Sequence, residues 1–186
     1  MFELDRFIAD CRAARADHQA VRDVVARAVE APEALVEALG APQRAGVQAL
    51  YRSDELTVLN LVWGPRMMVM PHNHEMWAVI GIYTGREDNI FWRRLPREAA
   101  GRIEAAGARS LSGGDAVPLG RDIIHSVVNP IRRLTGAIHV YGGDFFAVPR
   151  SEWDPEALVE QPYSVDRAVA LFEESNRRHG SDAVAG

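Results

Sequence analysis

The sequence predicts a mainly β fold, an antiparallel barrel or sandwich with helices at both ends, and three observations carry that reading. Short β-rich runs separated by Gly and Pro fill the middle of the chain. Segments with apolar residues at helical spacing among charges flank it on both sides. The chain has 186 residues, 47% hydrophobic and 25% charged, enough for one domain with a substantial core.

Taken in order, residues 1 to 40 read as helical, because Phe7, Ile8, Val21, Val24, Val25, Ala28 and Val29 recur at helix-like intervals. Ala31-Pro32-Glu33 marks a helix restart with Pro at its first position, and Gly40 marks its stop. Strands are expected at 56–62, 67–70, 77–83, 90–94, 116–118, 125–128 and 137–141. Turns fall at Gly64-Pro65, Gly85, Gly113-Gly114, Asn129-Pro130 and Gly142-Gly143. The Ala- and Glu-rich stretch 96–109 is expected as a loop or a short helical turn. Beyond residue 150, Asp154-Pro155-Glu156 looks like a helix start. Ser164 caps a last helix whose apolar face is Val165, Ala168, Val169 and Phe172, and 180–186 should fray. With no internal repeat, the expected organisation is one domain over 1–186: a helical part at 1–48, a β-barrel core at 49–150 and a helical part at 151–186.

The net charge of −5 argues against general attraction to nucleic acid or to an anionic membrane. No long uncharged apolar run predicts a membrane-spanning helix. The first residues carry both acid and base and lack the apolar core of a signal peptide. Cys11 is the single cysteine, which precludes an intrachain disulfide. These points together lead to an expectation of the cytoplasm.

Six histidines are present: His18, His72, His74, His125, His139 and His179. His18 and His179 sit in charged helical segments and read as exposed and incidental. The other four fall in the β-rich part. His72 and His74 are one residue apart, so a β-strand carries both on one face. His125 on a distant strand can complete a three-imidazole set suited to a divalent first-row metal with open positions.

These residues resemble the two motifs of the cupin superfamily, whose fold is a double-stranded β-helix, or jelly-roll barrel. Gly64, His72, His74 and Gly85 match the first motif in order, with Ala78 in the slot where many cupins place a glutamate ligand. Pro118, Gly120, His125 and Asn129 match the second, with two extra residues between Gly120 and His125. Three histidines without the acid resemble the branch that contains cysteine dioxygenase and related thiol dioxygenases. The stretch 137–141 resembles that family's Ser-His-Tyr array, with Ala137 in place of the serine, and Tyr51-Arg52 resembles its carboxylate-binding arginine. The position of the family's crosslinking cysteine is Val79, so no Cys-Tyr crosslink is expected.

The resemblance implies Fe(II) held by His72, His74 and His125, with a small carboxylate-bearing thiol and O2 as partners and a sulfinate as product. Tyr141 would donate a hydrogen bond to bound oxygen or to a substrate polar group, His139 would orient the Tyr141 hydroxyl, and Arg52 would clamp the carboxylate. Alternatives stand beside each role: a core tyrosine, a satisfied core histidine and a surface arginine. The cluster Glu87, Asp88, Arg93 and Arg94 reads as solvated or structural charge. Trp63, Trp77, Trp92 and Met67, Met68, Met70 and Met76 read as barrel core. Three imidazoles also bind Ni, Zn, Cu and Mn. A three-His dioxygenase that cleaves a C–C bond and a non-catalytic ligand-sensing module are the competing functions.

Overall fold

The structure, a computed structural model, describes residues 1–96 and 101–184. Helices α1 (Leu4–Ala14), α2 (His18–Val29) and α3 (Pro32–Leu39) open the chain. Asp17 caps α2 by accepting from the Gln19 backbone N–H at 2.9 Å. Pro32 begins α3, and Gly40 ends it at a φ of +84° that disfavours a side chain, as the sequence predicts.

The strands are β1 (Gly46–Arg52), β2 (Thr57–Trp63), β3 (Met68–Asn73), β4 (Ala78–Thr84), β5 (Arg86–Arg94), β6 (Ile103–Ser112), β7 (Ala116–Leu119), β8 (Ile124–Val128), β9 (Thr135–Tyr141), β10 (Ser151–Trp153) and β11 (Glu160–Pro162). They form two antiparallel sheets, ordered β1-β2-β9-β4-β7 and β11-β10-β3-β8-β5-β6. Helix α4 (Val165–Val184) closes the chain, and the Ser164 hydroxyl accepts from the Arg167 N–H in its first turn.

Side-chain alternation decides where each residue of the first sheet goes. Leu59, Leu61 and Trp63 of β2, Ala78, Ile80 and Ile82 of β4, and Ala137 and Tyr141 of β9 join the core inside the barrel. Their sequence neighbours Val58, Val79, Ile138 and Val140 join a second core with the N-terminal helices. Both faces are covered, which is why β2, β4 and β9 read as nearly continuous apolar runs. Helix α2 comes so close to β4 that a Cβ on Gly81 would stand 2.3 Å from Val25 Cγ1.

The fold departs from the sequence reading in several places, among them the unpredicted strand β1, which begins at Gly46 inside the part expected as helical. The stretch 96–109 is largely strand: β6 pairs along β5, while residues 97–100 lie outside the described residues. Asp154 does not start a helix; its carboxylate accepts from the Glu156 and Ala157 N–H groups in a turn between β10 and β11. The part 151–186 is therefore strand hairpin first and helix only from Val165, and α4 runs through residue 184. Met68 is not core but 55% exposed. Among the described residues no helix is long and apolar enough to cross a membrane.

Candidate metal centre

The second sheet supplies three imidazoles. His72 on β3 pairs by register with His125 on β8, and a register irregularity between Val69 and His72 interrupts that ladder. β3 ends at Asn73, so His74 belongs to the following turn, where Glu75 has a φ of +56°. Asn73 ties this turn down: its Oδ1 accepts from the Ser151 N–H and its Nδ2 donates to Glu75. One ring nitrogen of each of His72, His74 and His125 lies within 4.8 Å of the others, and all three residues are buried. The sequence expected His72 and His74 on one regular strand; a strand end brings them together instead.

Their hydrogen bonds set their tautomers. His72 Nδ1–H donates to the Met70 carbonyl at 2.9 Å, and His125 Nδ1–H donates to Asn89 Oδ1 at 2.6 Å. Each therefore offers an unprotonated Nε2. His125 Nε2 and His74 Nε2 stand 3.2 Å apart. Burial lowers the His72 pKa to about 4 and holds His74 and His125 well below the usual range, with the neighbouring imidazoles adding to the effect for the latter two. Neutral imidazoles with converging lone pairs, each supported on the far nitrogen in His72 and His125, fit a divalent cation. Among the described residues no carboxylate joins this cluster. Ala78, where a glutamate ligand would stand, is fully buried and pairs by register with Tyr141.

The first sheet faces this cluster with a polar pair. His139 and Tyr141 share the inner face of β9, and His139 Nδ1 is 3.0 Å from the Tyr141 hydroxyl. The Tyr141 ring meets His74 edge-on at 5.0 Å between centroids. Burial pushes the Tyr141 pKa upward, so its hydroxyl keeps its proton.

Glu87 departs most sharply from the sequence reading, which made it solvated or structural charge. It is fully buried, while its neighbours Arg86 and Asp88 pair with each other outside at 2.8 Å. Glu87 Oε2 accepts from Trp63 Nε1–H at 2.6 Å, and Oε1 accepts from Asn89 Nδ2 at 2.9 Å. The strand alternation of β5, with charge out and Glu87 and Asn89 in, is the signal that could have found it.

The cavity between the sheets holds about 130 Å³ and is bordered by the three imidazoles, His139 and Tyr141. Arg52 is not at its wall. That guanidinium is 52% exposed and held by Asp144 through bonds of 2.9 to 3.1 Å, so a carboxylate of this chain already occupies its fork. The arginine that does line the cavity is Arg150, which the sequence reading missed for want of a motif around it. Its guanidinium lies between the rings of Phe145 and Tyr163, at 4.1 and 4.0 Å. Its Nη1 donates to the Phe145 carbonyl, and its Nε is buried without a hydrogen-bond partner. Apolar groups, among them Leu59, Trp63 and Val127 from the strands and Val169 and Phe172 from α4, form most of the remaining wall.

His18 stays apart from the site. His18 is half-buried rather than exposed, its ring stacked on Trp77 at 6.3 Å, and the side chain of His179 lies outside the described residues. The motif residue Asn129 serves the fold rather than the cluster. Its Nδ2 donates to the carbonyls of Trp63, Gly64 and Arg133, which pins the turn ahead of β3.

No family model matches the chain. Solved structures to which the chain is similar include an RmlC-like cupin family protein with a double-stranded β-helix fold from Methanocaldococcus jannaschii, at TM-score 0.46 and 10% identity over 56% of this chain and 85% of that one. A cupin superfamily protein from Desulfitobacterium hafniense gives TM-score 0.45 and 14% identity over 57% and 86%. A mutant oxalate decarboxylase from Bacillus subtilis gives 0.44 and 14%, with 58% of this chain spanning 28% of that one. The chain itself forms two antiparallel sheets flanked by helices. Within it, His72, His74 and His125 form a three-histidine cluster suited to a metal.

Proposed function

We propose that the chain is an iron-dependent thiol dioxygenase that oxidises a small carboxylate-bearing thiol to its sulfinate. The observation that carries this reading is the sharing of one cavity by three neutral imidazoles, the Tyr141 hydroxyl and a guanidinium with an unpartnered buried Nε. Iron held by His72, His74 and His125 would supply open positions for a thiolate and O2 and a route for electrons between them. Arg150 takes the carboxylate role that the resemblance gives to Arg52. Its ring stacking fixes the planar fork and leaves an N–H to be satisfied by an anion. Tyr141 sets its hydroxyl beside the reacting sulfur, and His139 fixes the hydroxyl's direction. The largely apolar wall keeps bulk water from the thiolate.

The same apolar wall favours a second reading, a three-histidine dioxygenase that cleaves a C–C bond in a substrate such as a β-diketone. One experiment separates them: O2 uptake by the iron-loaded protein with cysteine, cysteamine, 3-mercaptopropionate, mercaptosuccinate and acetylacetone, with mass spectrometry of the products. Two oxygens gained by a carboxylate-bearing thiol, with cysteamine poor, supports the first reading. Silence on every thiol alongside turnover of acetylacetone replaces it with the second.

A further inference from the structure

We infer that Glu87, on strand β5, is the positioning residue of the His139–Tyr141 pair on β9. Deep in the barrel a carboxylate is costly unless hydrogen bonds meet it. Glu87 is met by Trp63 Nε1–H and Asn89 Nδ2, both donors, so it stands as an acceptor throughout. Its Oε2 also faces His139 Nε2 at 3.5 Å. That separation is long for a hydrogen bond, and His139 Nε2 has no other partner. A buried imidazole nitrogen facing a carboxylate oxygen is favoured as N–H, because a lone pair there would meet another lone pair. His139 is then the Nε2–H tautomer, and its Nδ1 accepts the Tyr141 O–H. The hydroxyl proton points to His139, and the oxygen lone pairs are left for the cavity.

The same carboxylate fixes a second orientation. Because Asn89 donates its amide N–H to Glu87, its carbonyl oxygen turns to His125, which must donate from Nδ1 and keep Nε2 free. Glu87 thus orders both the metal-facing imidazole of one sheet and the tyrosine pair of the other. Ala137 shares the inner face of β9 with His139, so a serine there would bring an oxygen to the same neighbourhood.

The tautomer of His139, read by 15N NMR on the full chain both metal-free and zinc-loaded, tests this without any turnover. The expected result is Nε2–H in the wild type and loss of that preference in Glu87→Gln, with melting unchanged by more than a few degrees. Adding Ala137→Ser to Glu87→Gln should restore it. Wild-type His139 found as Nδ1–H overturns the inference even if Glu87→Gln fails to fold, and so does a folded Glu87→Gln with the tautomer unchanged. The kinetic arm alone rests on the thiol reading: Glu87→Gln should lower kcat roughly tenfold, as loss of a supporting partner does, with KM held and Ala137→Ser restoring the rate. An inactive wild type with the expected tautomers would sink that reading and leave this inference standing.

Discussion

The two sheets of the barrel divide the work of the site. The second sheet and the turn after β3 carry the imidazoles that face one another, each of His72 and His125 braced by an acceptor on its far nitrogen. The first sheet carries no member of that cluster; it supplies an apolar floor and, near the end of β9, His139 and Tyr141. The difference teaches where order comes from. On the ligand sheet, backbone and amide acceptors orient rings whose lone pairs must converge. On the opposite sheet, neighbours along one strand face orient each other, and the outside help comes from Glu87 across the barrel.

The sharpest way to break this division is to remove a ligand. His72→Ala should abolish metal retention and turnover together, and a variant with full metal content by elemental analysis would strike His72 from the cluster. Next in size is pH. His72 stays neutral to about pH 4 in the folded chain, against 6.5 for an ordinary histidine. Between those values the unfolded chain binds more protons, so stability is full above 6.5 and is lost as pH falls towards 4. Linkage makes the loss about 3 kcal/mol for His72, with His74 and His125 acting in the same direction. Chemical denaturation of the metal-free protein at pH 7.5 and pH 5 checks this, and a flat profile would mean the imidazoles are not buried as neutral bases.

Two further variants sharpen the comparison. Arg150→Gln should raise KM for a carboxylate substrate by about thirtyfold, near 2 kcal/mol for a lost charge-assisted bond, while Arg52→Gln should leave KM within about twofold. Equal effects of the two in steady-state kinetics would refute the assignment. Tyr141→Phe should keep metal content unchanged and cut kcat roughly tenfold, because it touches the sheet that holds no ligand. A drop in bound metal instead would show that the two sheets are not separable.

Much of this was legible in the sequence where periodicity and spacing carry it. The strand reading at 137–141 put His139 and Tyr141 on one face, and they lie together there. His72, His74 and His125 were singled out from spacing and motif, and the structure gathers them. Pro32 and Gly40 bounded a helix for reasons local to the backbone. What escaped depends on contacts distant in sequence. The stretch 96–109 is rich in Ala and Glu, which favour helix, yet its strand follows from pairing with β5. Asp154 carries a cap's chemistry that serves equally well in a turn. Arg52 and Arg150 are alike as letters; only the position of Asp144 and of two aromatic rings tells the occupied guanidinium from the available one. Glu87 looked like surface charge because both its neighbours are.

The position of that last carboxylate has a consequence for how such proteins are traced through descent. Glu87 faces His139 from a strand that does not pair with β9, some fifty positions away in the chain. A linear pattern written for one strand looks for an oxygen two residues before the histidine, finds Ala137 and scores a loss. In space an oxygen does face the histidine, supplied by Glu87 from β5. A pattern meant to find this arrangement must therefore read position 87 together with position 139, on two strands of two different sheets, rather than β9 alone.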